Sequence, residues 1–313
     1  MRVLVTGASG LLGINLALEA TKEHTVFGLT NRHALKTDAF RVLQADLLEP
    51  GAIQKVLDEA QPDWVIHCAA LALLDACETD PDRAWELNCE VPRKLAHYVA
   101  RGGARLVHIS TDAVFDGQRG DYSEEDQPNP LSVYGRTKLA GERAVAQANP
   151  EAIIARVNLF GWSSSGKRSL AEFFFYNLQA GKHLQGFTDV FFCPLLANHL
   201  GGILLAMLER GLSGLYHVVS SECLTKYEFG VRVASTFGFD PGLISPTSLE
   251  AAGLTAARSP RLTLRSDKLA GALGQPLPDI SRGLDSFYNL YQNGYPQKLK
   301  EMATRSTPDG PQA

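Results

Sequence analysis

Thr6-Gly7-Ala8-Ser9-Gly10-Leu11-Leu12-Gly13 follows an apolar, β-rich run from Arg2 to Thr6 and opens a helix-like segment. That is the context a phosphate-binding turn requires, because a helix N-terminus offers unpaired N–H groups and a positive dipole end to an anion. Gly7 permits the tight turn, Gly10 lets backbone approach a pyrophosphate, and Gly13 lets the helix pack closely on the strand. The spacing is G-x-x-G-x-x-G rather than G-x-G-x-x-G, and Ser9, Leu11 and Leu12 complete the expected cradle. The same rhythm continues downstream: β-rich runs at Thr25 to Thr30, Arg41 to Gln44, Trp64 to Cys68, Arg105 to Ser110 and Ala152 to Val157 are separated by helix-length segments. Apolar strands joined by crossovers predict a parallel sheet covered on both faces, an α/β, Rossmann-type doubly wound dinucleotide fold.

The alternation breaks after Gly161 into a Ser-rich loop (Ser163, Ser164, Ser165) and an aromatic run (Phe173 to Tyr176). We therefore expect a dinucleotide domain over 1–161 and a smaller, interleaved substrate-binding lobe over 162–295. Within that lobe a helix from Ala197 to Glu209 and a strand from Leu215 to Val219 should place segments near 190–219 back on the sheet. The polar stretch 296–313, with Pro296, Pro308 and Pro311, is expected to be a flexible tail.

Composition narrows the classes of partner. The 313 residues include 30 basic and 34 acidic side chains without long runs, and a net charge of -4 gives no electrostatic case for nucleic acid or an anionic membrane. Small-molecule partners are the default. Five cysteines, at 68, 77, 89, 193 and 223, are odd in number and contain no C-x-x-C pair, which argues against a disulfide framework or zinc site and for a reducing cytoplasm. Gly7, Gly10 and Gly13 interrupt the apolar N-terminus, so it does not read as a signal peptide. No apolar run reaches membrane-spanning length, and the five histidines considered, at 67, 108, 183, 199 and 217, form no H-E-x-x-H pair.

About 20 positions after the glycine turn, where NAD-preferring folds carry a carboxylate for the ribose hydroxyl, this chain has Asn31 and Arg32. A guanidinium suits a 2′-phosphate, so NADP(H) is favoured, with NAD(H) the alternative. Ser110-Thr111-Asp112 sits at the carboxyl end of a strand, where open parallel sheets bind ligands, and Thr111 can donate to a substrate carbonyl. Tyr134 and Lys138, four apart, leave a helix on one face. An ordinary phenol titrates near pH ~10, and a nearby ammonium favours the phenolate, so Lys138 is expected to bring Tyr134 down toward acid–base range.

The glycine turn, His67-Cys68-Ala69-Ala70, Ser110-Thr111-Asp112, Tyr134-Gly135-Arg136-Thr137-Lys138 and Leu139-Ala140-Gly141-Glu142 occur in the order seen in extended short-chain dehydrogenases/reductases, which the chain resembles over most of its length. The run Ser110 to Gly117, Tyr122 with Glu124, and Y-G-x-T-K-L-x-G-E are most similar to the dTDP-4-dehydrorhamnose reductase group. That group also contains the regulatory beta subunit of methionine adenosyltransferase. The resemblance implies a catalytic triad of Thr111, Tyr134 and Lys138, with the last two also touching the cofactor. Gly7, Gly10 and Gly13 would hold the pyrophosphate and Arg32 the adenosine phosphate. Asp46 and Leu47 would approach adenine, although Asp46 could equally cap the helix beginning near Pro50. Ala69 and Ala70 would line the dinucleotide.

It further implies NADP(H)-dependent reduction of a nucleotide-linked 4-keto-6-deoxysugar, with a non-catalytic cofactor-binding regulator or a nucleotide-sugar epimerase as alternatives. Thr111, Asp112, Phe192 and Arg258 are the expected substrate contacts. The protein would be a monomer or a homodimer, pairing through helices near Pro92 to Ala100 and Val133 to Gln147 as many relatives do.

Two departures bear on the substrate. Ala113 stands where the reductase group usually has tyrosine, and Ala257-Arg258-Ser259-Pro260-Arg261 alters the group's Arg-Pro segment. A dehydratase would carry Asp-Glu after the threonine, whereas this chain has Asp112-Ala113. Gly161-Trp162-Ser163-Ser164-Ser165-Gly166-Lys167 nearly spells a triphosphate-binding loop, but Arg168 stands where a hydroxyl must hold magnesium, so we read it as a loop entering the second lobe.

Overall fold

The computed structural model describes residues 1–251 and 259–303. Strands β1 (Arg2–Thr6), β2 (Thr25–Thr30), β3 (Arg41–Gln44), β4 (Trp64–His67), β5 (Arg105–Thr111) and β6 (Ile153–Val157) join Gly214–Val218 in one seven-stranded sheet, ordered β3-β2-β1-β4-β5-β6 and then Gly214–Val218. Every pairing in it is parallel. This is the doubly wound fold expected. Chain order reverses between β1 and β4, so the carboxyl ends of those strands border the crevice where such sheets bind ligands.

Helix α1 (Leu11–Ala20) shows why Gly13 is small: a Cβ there would sit 2.2 Å from the Gly7 carbonyl oxygen. On its other side α1 is covered by the helix Ala197–Glu209, which approaches closely enough that a Cβ on Gly201 would lie 3.3 Å from the Leu16 Cα. The helix Ala197–Glu209 thus packs on α1, and Gly214–Val218 is itself a strand of the main sheet. Buried Asn15 ties the layers together. Its amide donates to the carbonyls of Leu11 and Trp162, and its oxygen accepts from the Tyr295 hydroxyl at 2.9 Å.

The second lobe carries small sheets. One pairs Phe191–Phe192 with Leu224–Thr225 and Arg261–Leu262, and another pairs Leu184–Phe187 with Ile244–Thr247. Its helices Leu170–Gln179 and Lys226–Phe237 each begin with a capping box, Ser169 with Glu172 and Thr225 with Glu228. Buried Glu172 also accepts from the backbone N–H groups of Ser163, Arg168 and Ser169. The near-triphosphate loop thus spends its amides on a carboxylate, which leaves them no phosphate to cradle.

Two expectations fail. The stretch after Tyr295 does not start as a tail: Tyr295–Met302 is helical, with Pro296, Leu299 and Met302 buried, and Lys36 N–H donates to the Met302 carbonyl. Proline in a first helical turn costs nothing, since its missing N–H has no partner there; residues 304–313 lie outside the described residues. Cys193 and Cys223 form a disulfide across 30 residues, while Cys68, Cys77 and Cys89 are free. Their distance in sequence hid a pairing that the small-sheet register creates, since Phe192 faces Leu224.

Trp162 marks the passage between the domains. It is fully buried, stacks on Phe287 at 3.9 Å, meets Phe175 edge-on at 5.0 Å, and donates its indole N–H to the Phe287 carbonyl. Removing it leaves a cavity walled by both sides. Trp162→Ala should cost about 3–5 kcal/mol in denaturant unfolding; a loss under about 1 kcal/mol would show that this contact does not carry the lobes.

Candidate active site

The site grows from the carboxyl edge of the sheet. Gly7 has φ of +67°, and a Cβ on it would meet the Ala69 nitrogen at 2.8 Å, so the turn after β1 lies against the end of β4 backbone to backbone. Gly10 N–H bonds to the Gly7 carbonyl at 2.8 Å, and Ala69 N–H bonds to the Thr6 hydroxyl at 3.3 Å. Gly10 is the N-cap of α1 and no side chain caps it, which leaves first-turn N–H groups open toward an anion. Ser9 and Leu11 are half-buried at this edge, whereas Leu12 is buried and can meet a ligand only through backbone. The cradle fits a dinucleotide pyrophosphate.

Asn31 and Arg32 are exposed directly after β2. Asp46 and Leu47 follow β3. Asp46 accepts from the Leu48 N–H at 3.0 Å, which makes it the cap of a local turn; the helix Ala52–Ala60 starts behind Gly51 instead. Leu47 is buried, Ala69 half-buried and Ala70 exposed at the end of β4.

Thr111 is the last residue of β5, and Tyr134 lies in the first turn of the helix Val133–Ala148, one turn before Lys138. The glycines of the surrounding motif bring that helix in. A Cβ at Gly135 would lie 2.3 Å from the Ala113 oxygen, and one at Gly141 would lie 2.1 Å from the Asn88 oxygen. Asn88 donates to the Thr137 hydroxyl and to the Leu71 carbonyl, fixing the helix sideways. Glu142, at the foot of the motif, holds Arg156 of β6 through two bonds of 2.8 and 2.9 Å and accepts from Ser110, all in the buried interior.

Thr111, Tyr134 and Lys138 lie close together, with one difference from expectation. The Thr111 hydroxyl beside the Tyr134 phenol favours its ionisation, yet the phenol is pushed up to about 12 because burial dominates and the nearby Asp112 carboxylate adds to it. Lys138 does not lower it. Its ammonium is turned away, donating to the Ile109 carbonyl at 2.6 Å, and is itself pulled down to about 8 by burial against the opposing pull of Glu142. Tyr134 is therefore held as the neutral phenol, the form that donates a proton.

Asp112 is buried, accepts from Thr111 and Asn158, and is raised by burial. Phe192 is packed in the main core against Phe229 at 5.4 Å, which gives it a packing role; half-exposed Phe191, with the Arg261 guanidinium 5.9 Å above its ring, is the aromatic nearer solvent. Arg258 lies outside the described residues. Sequence reasoning did not assign roles to Asn88, Asn158, His67 or His108, all of which converge here. The signal available for the last two was their position on neighbouring strands, where they are direct register partners.

Comparison with known proteins agrees with this geometry. The family model described as RmlD substrate binding domain matches residues 1–293. The chain belongs to that family. It is 34% identical over 303 residues to the probable low-salt glycan biosynthesis reductase Agl14 of Haloferax volcanii, covering 94% of this chain and all of the relative. It is 32% identical over 297 residues to the methionine adenosyltransferase 2 subunit beta of Bos taurus, covering 88% and 84%. A solved dTDP-4-dehydrorhamnose reductase of Bacillus anthracis, in complex with NADP, superposes with a TM-score of 0.79 at 26% identity, covering 92% and 98% of the two chains. The fold and family of this RmlD relative are those of the extended short-chain NAD(P)-dependent oxidoreductases. Among the described residues, no helix is long and apolar enough to cross a membrane.

Three imidazoles of this RmlD-family chain are buried neutral. Burial and Lys138 hold His67 down at about 3, burial and Arg156 do the same for His217, and His108 lies well below its ordinary value. In the unfolded chain each would take a proton near pH ~6.5. A depressed histidine therefore adds stability above the unfolded value and loses it as pH falls from about 6.5 toward 3. At pH 5, where most carboxylates are still ionised, the loss should be about 2 kcal/mol per imidazole. Calorimetric midpoints between pH 7 and 5 check this, and a flat profile would contradict neutral burial.

Proposed function

We propose that the protein is an NADP(H)-dependent reductase of a nucleotide-linked 4-keto-6-deoxysugar. The observation that carries this reading is the neutral Tyr134 phenol beside Thr111 and the glycine cradle at the carboxyl edge of the sheet. The relatives named as reductases support the substrate class.

Gly7, Gly10 and Gly13 would hold the pyrophosphate on the open amides of α1, Arg32 would pair with the 2′-phosphate, and Lys138 would hold a ribose hydroxyl. When bound, the reduced nicotinamide supplies the hydride that a ketone carbon accepts. Thr111 orients the carbonyl, and Tyr134 transfers its proton to the ketone oxygen as negative charge develops there. The resulting phenolate is accommodated by the Thr111 hydroxyl, whose proton can turn toward it. Asp112 already accepts from Thr111 at 3.0 Å, so the same hydroxyl can serve either neighbour.

Tyr134→Phe should lower turnover at least ~100-fold, the scale of general acid catalysis, with NADPH affinity nearly intact. The assay is NADPH absorbance with a panel of nucleotide-linked 4-keto sugars. Unchanged turnover in the variant would refute the proton donor. Tight NADPH binding without oxidation by any sugar in the panel would instead favour a regulatory subunit, the role in the name of the Bos taurus relative. Arg32→Ala should weaken NADPH at least ~10-fold relative to NADH, the scale of losing one charge-assisted pair. An unaltered ratio of dissociation constants would remove Arg32 from the phosphate site.

A further inference from the structure

We propose that His108 is a positioning residue for Lys138, its neutral imidazole fixing, together with the Ile109 carbonyl, the direction in which the buried ammonium points its remaining N–H. This rests on the reductase reading above, in which Lys138 meets the cofactor ribose.

Lys138 is 2% exposed, and an ammonium taken out of water needs lone pairs. Among the described residues its hydrogen-bond partners are the Ile109 carbonyl at 2.6 Å and His108 Nε2 at 3.5 Å. Both are neutral acceptors from adjacent positions of β5. With two of three N–H groups directed at β5, the staggered geometry of the ammonium sets the third. The Ile109 bond alone holds the rotation about the Cε–Nζ bond by one contact, and His108 adds the second restraint.

Other groups around Lys138 do not supply that second acceptor. Glu142, one turn on along the same helix, is committed to Arg156 and Ser110. Cys68, at the end of β4, carries a thiol that burial raises to about 12, so it brings no charge. His67 on β4 directs Nδ1 to the Thr6 hydroxyl at 2.7 Å and stacks on His108 with centroids 5.7 Å apart. Tyr134, on Lys138's own helix, forms no hydrogen bond with the ammonium, whose partners are on β5.

The tautomer follows. For His108 Nε2 to offer a lone pair, the proton must reside on Nδ1, and that atom is buried without a protein partner. Packing alone would be served by an apolar ring without that burden. Burial, Lys138 and His67 all disfavour the imidazolium, so the lone pair persists across the working range.

The test compares His108→Phe, which keeps a ring and removes the lone pair, with His108→Gln, which offers an acceptor oxygen. Three quantities are read in the full chain: the alkaline limb of turnover, the NADPH dissociation constant, and the titration of Lys138 followed by NMR of 13C-labelled lysine. With Lys138 pulled down to about 8, the limb and the lysine titration should both begin near that pH in the parent. In His108→Phe both should move acidward by about 0.5 to 1 unit, a three- to tenfold loss of proton affinity. NADPH binding should weaken by a similar factor, and His108→Gln should recover at least half of each change. The proposal is overturned if His108→Phe lowers turnover equally at all pH with the lysine titration unmoved, or if the Gln variant is no better than Phe. Should no keto-sugar be reduced by the parent, the reductase reading falls, while NADPH affinity and the lysine titration still decide the role of His108.

Discussion

A helix can set a phenol against a strand-end threonine only if its backbone comes within touching distance of that strand, and the site depends on this approach. Gly135 and Gly141 make it possible, since a Cβ at either would overlap the carbonyl oxygens of Ala113 and Asn88. What keeps the helix there is the buried pair of Glu142 and Arg156. An uncompensated buried charge costs ~3–5 kcal/mol, so each partner demands the other, and one sits on the helix while the other sits on β6. Ser110 on β5 donates to the same carboxylate. One ion pair thereby registers the helix against two central strands, and Tyr134 meets Thr111 as a consequence.

Burial decides the titration of Tyr134, Lys138 and Asp112. The expectation that Lys138 depresses Tyr134 assumed that sequence neighbours on one helix face each other's functional atoms. The ammonium instead turns to the Ile109 carbonyl, and loss of water raises the phenol to about 12. A reductase gains from this order, because the group that must give a proton stays protonated. The lysine, at about 8, is the group whose charge responds to mild alkali.

Local signals made the sheet legible. The glycine turn, the apolar runs of β1 to β6 and the helix Ala197–Glu209 all follow from periodicity and punctuation close together in the chain. The triad could be named because its residues sit in short motifs. The supports of that triad could not: Asn88 reaches Thr137 across 49 residues, Asn158 reaches Asp112 across 46, and Cys193 reaches Cys223 across 30. No pattern within a window carries such pairings; they exist only once strands are in register. The helix Tyr295–Met302 failed for another reason. Its apolar spacing at Tyr295, Leu299 and Met302 was visible, but Pro296 was weighed as a breaker when its position makes it a starter.

Ala113 shows how chemistry and substrate choice can separate in one residue. Its carbonyl is the surface on which Gly135 rests, and its N–H donates to the Thr111 hydroxyl at 3.2 Å, so its backbone belongs to the catalytic geometry. Its side chain takes part in neither contact and is half-buried at the edge of the site. A tyrosine or an alanine at this position leaves the backbone constraint untouched while changing the volume and polarity offered to a ligand. The proposed proton donor is thus insulated from variation at a neighbouring position, because the backbone that holds the helix of Tyr134 is the same whichever side chain stands at 113.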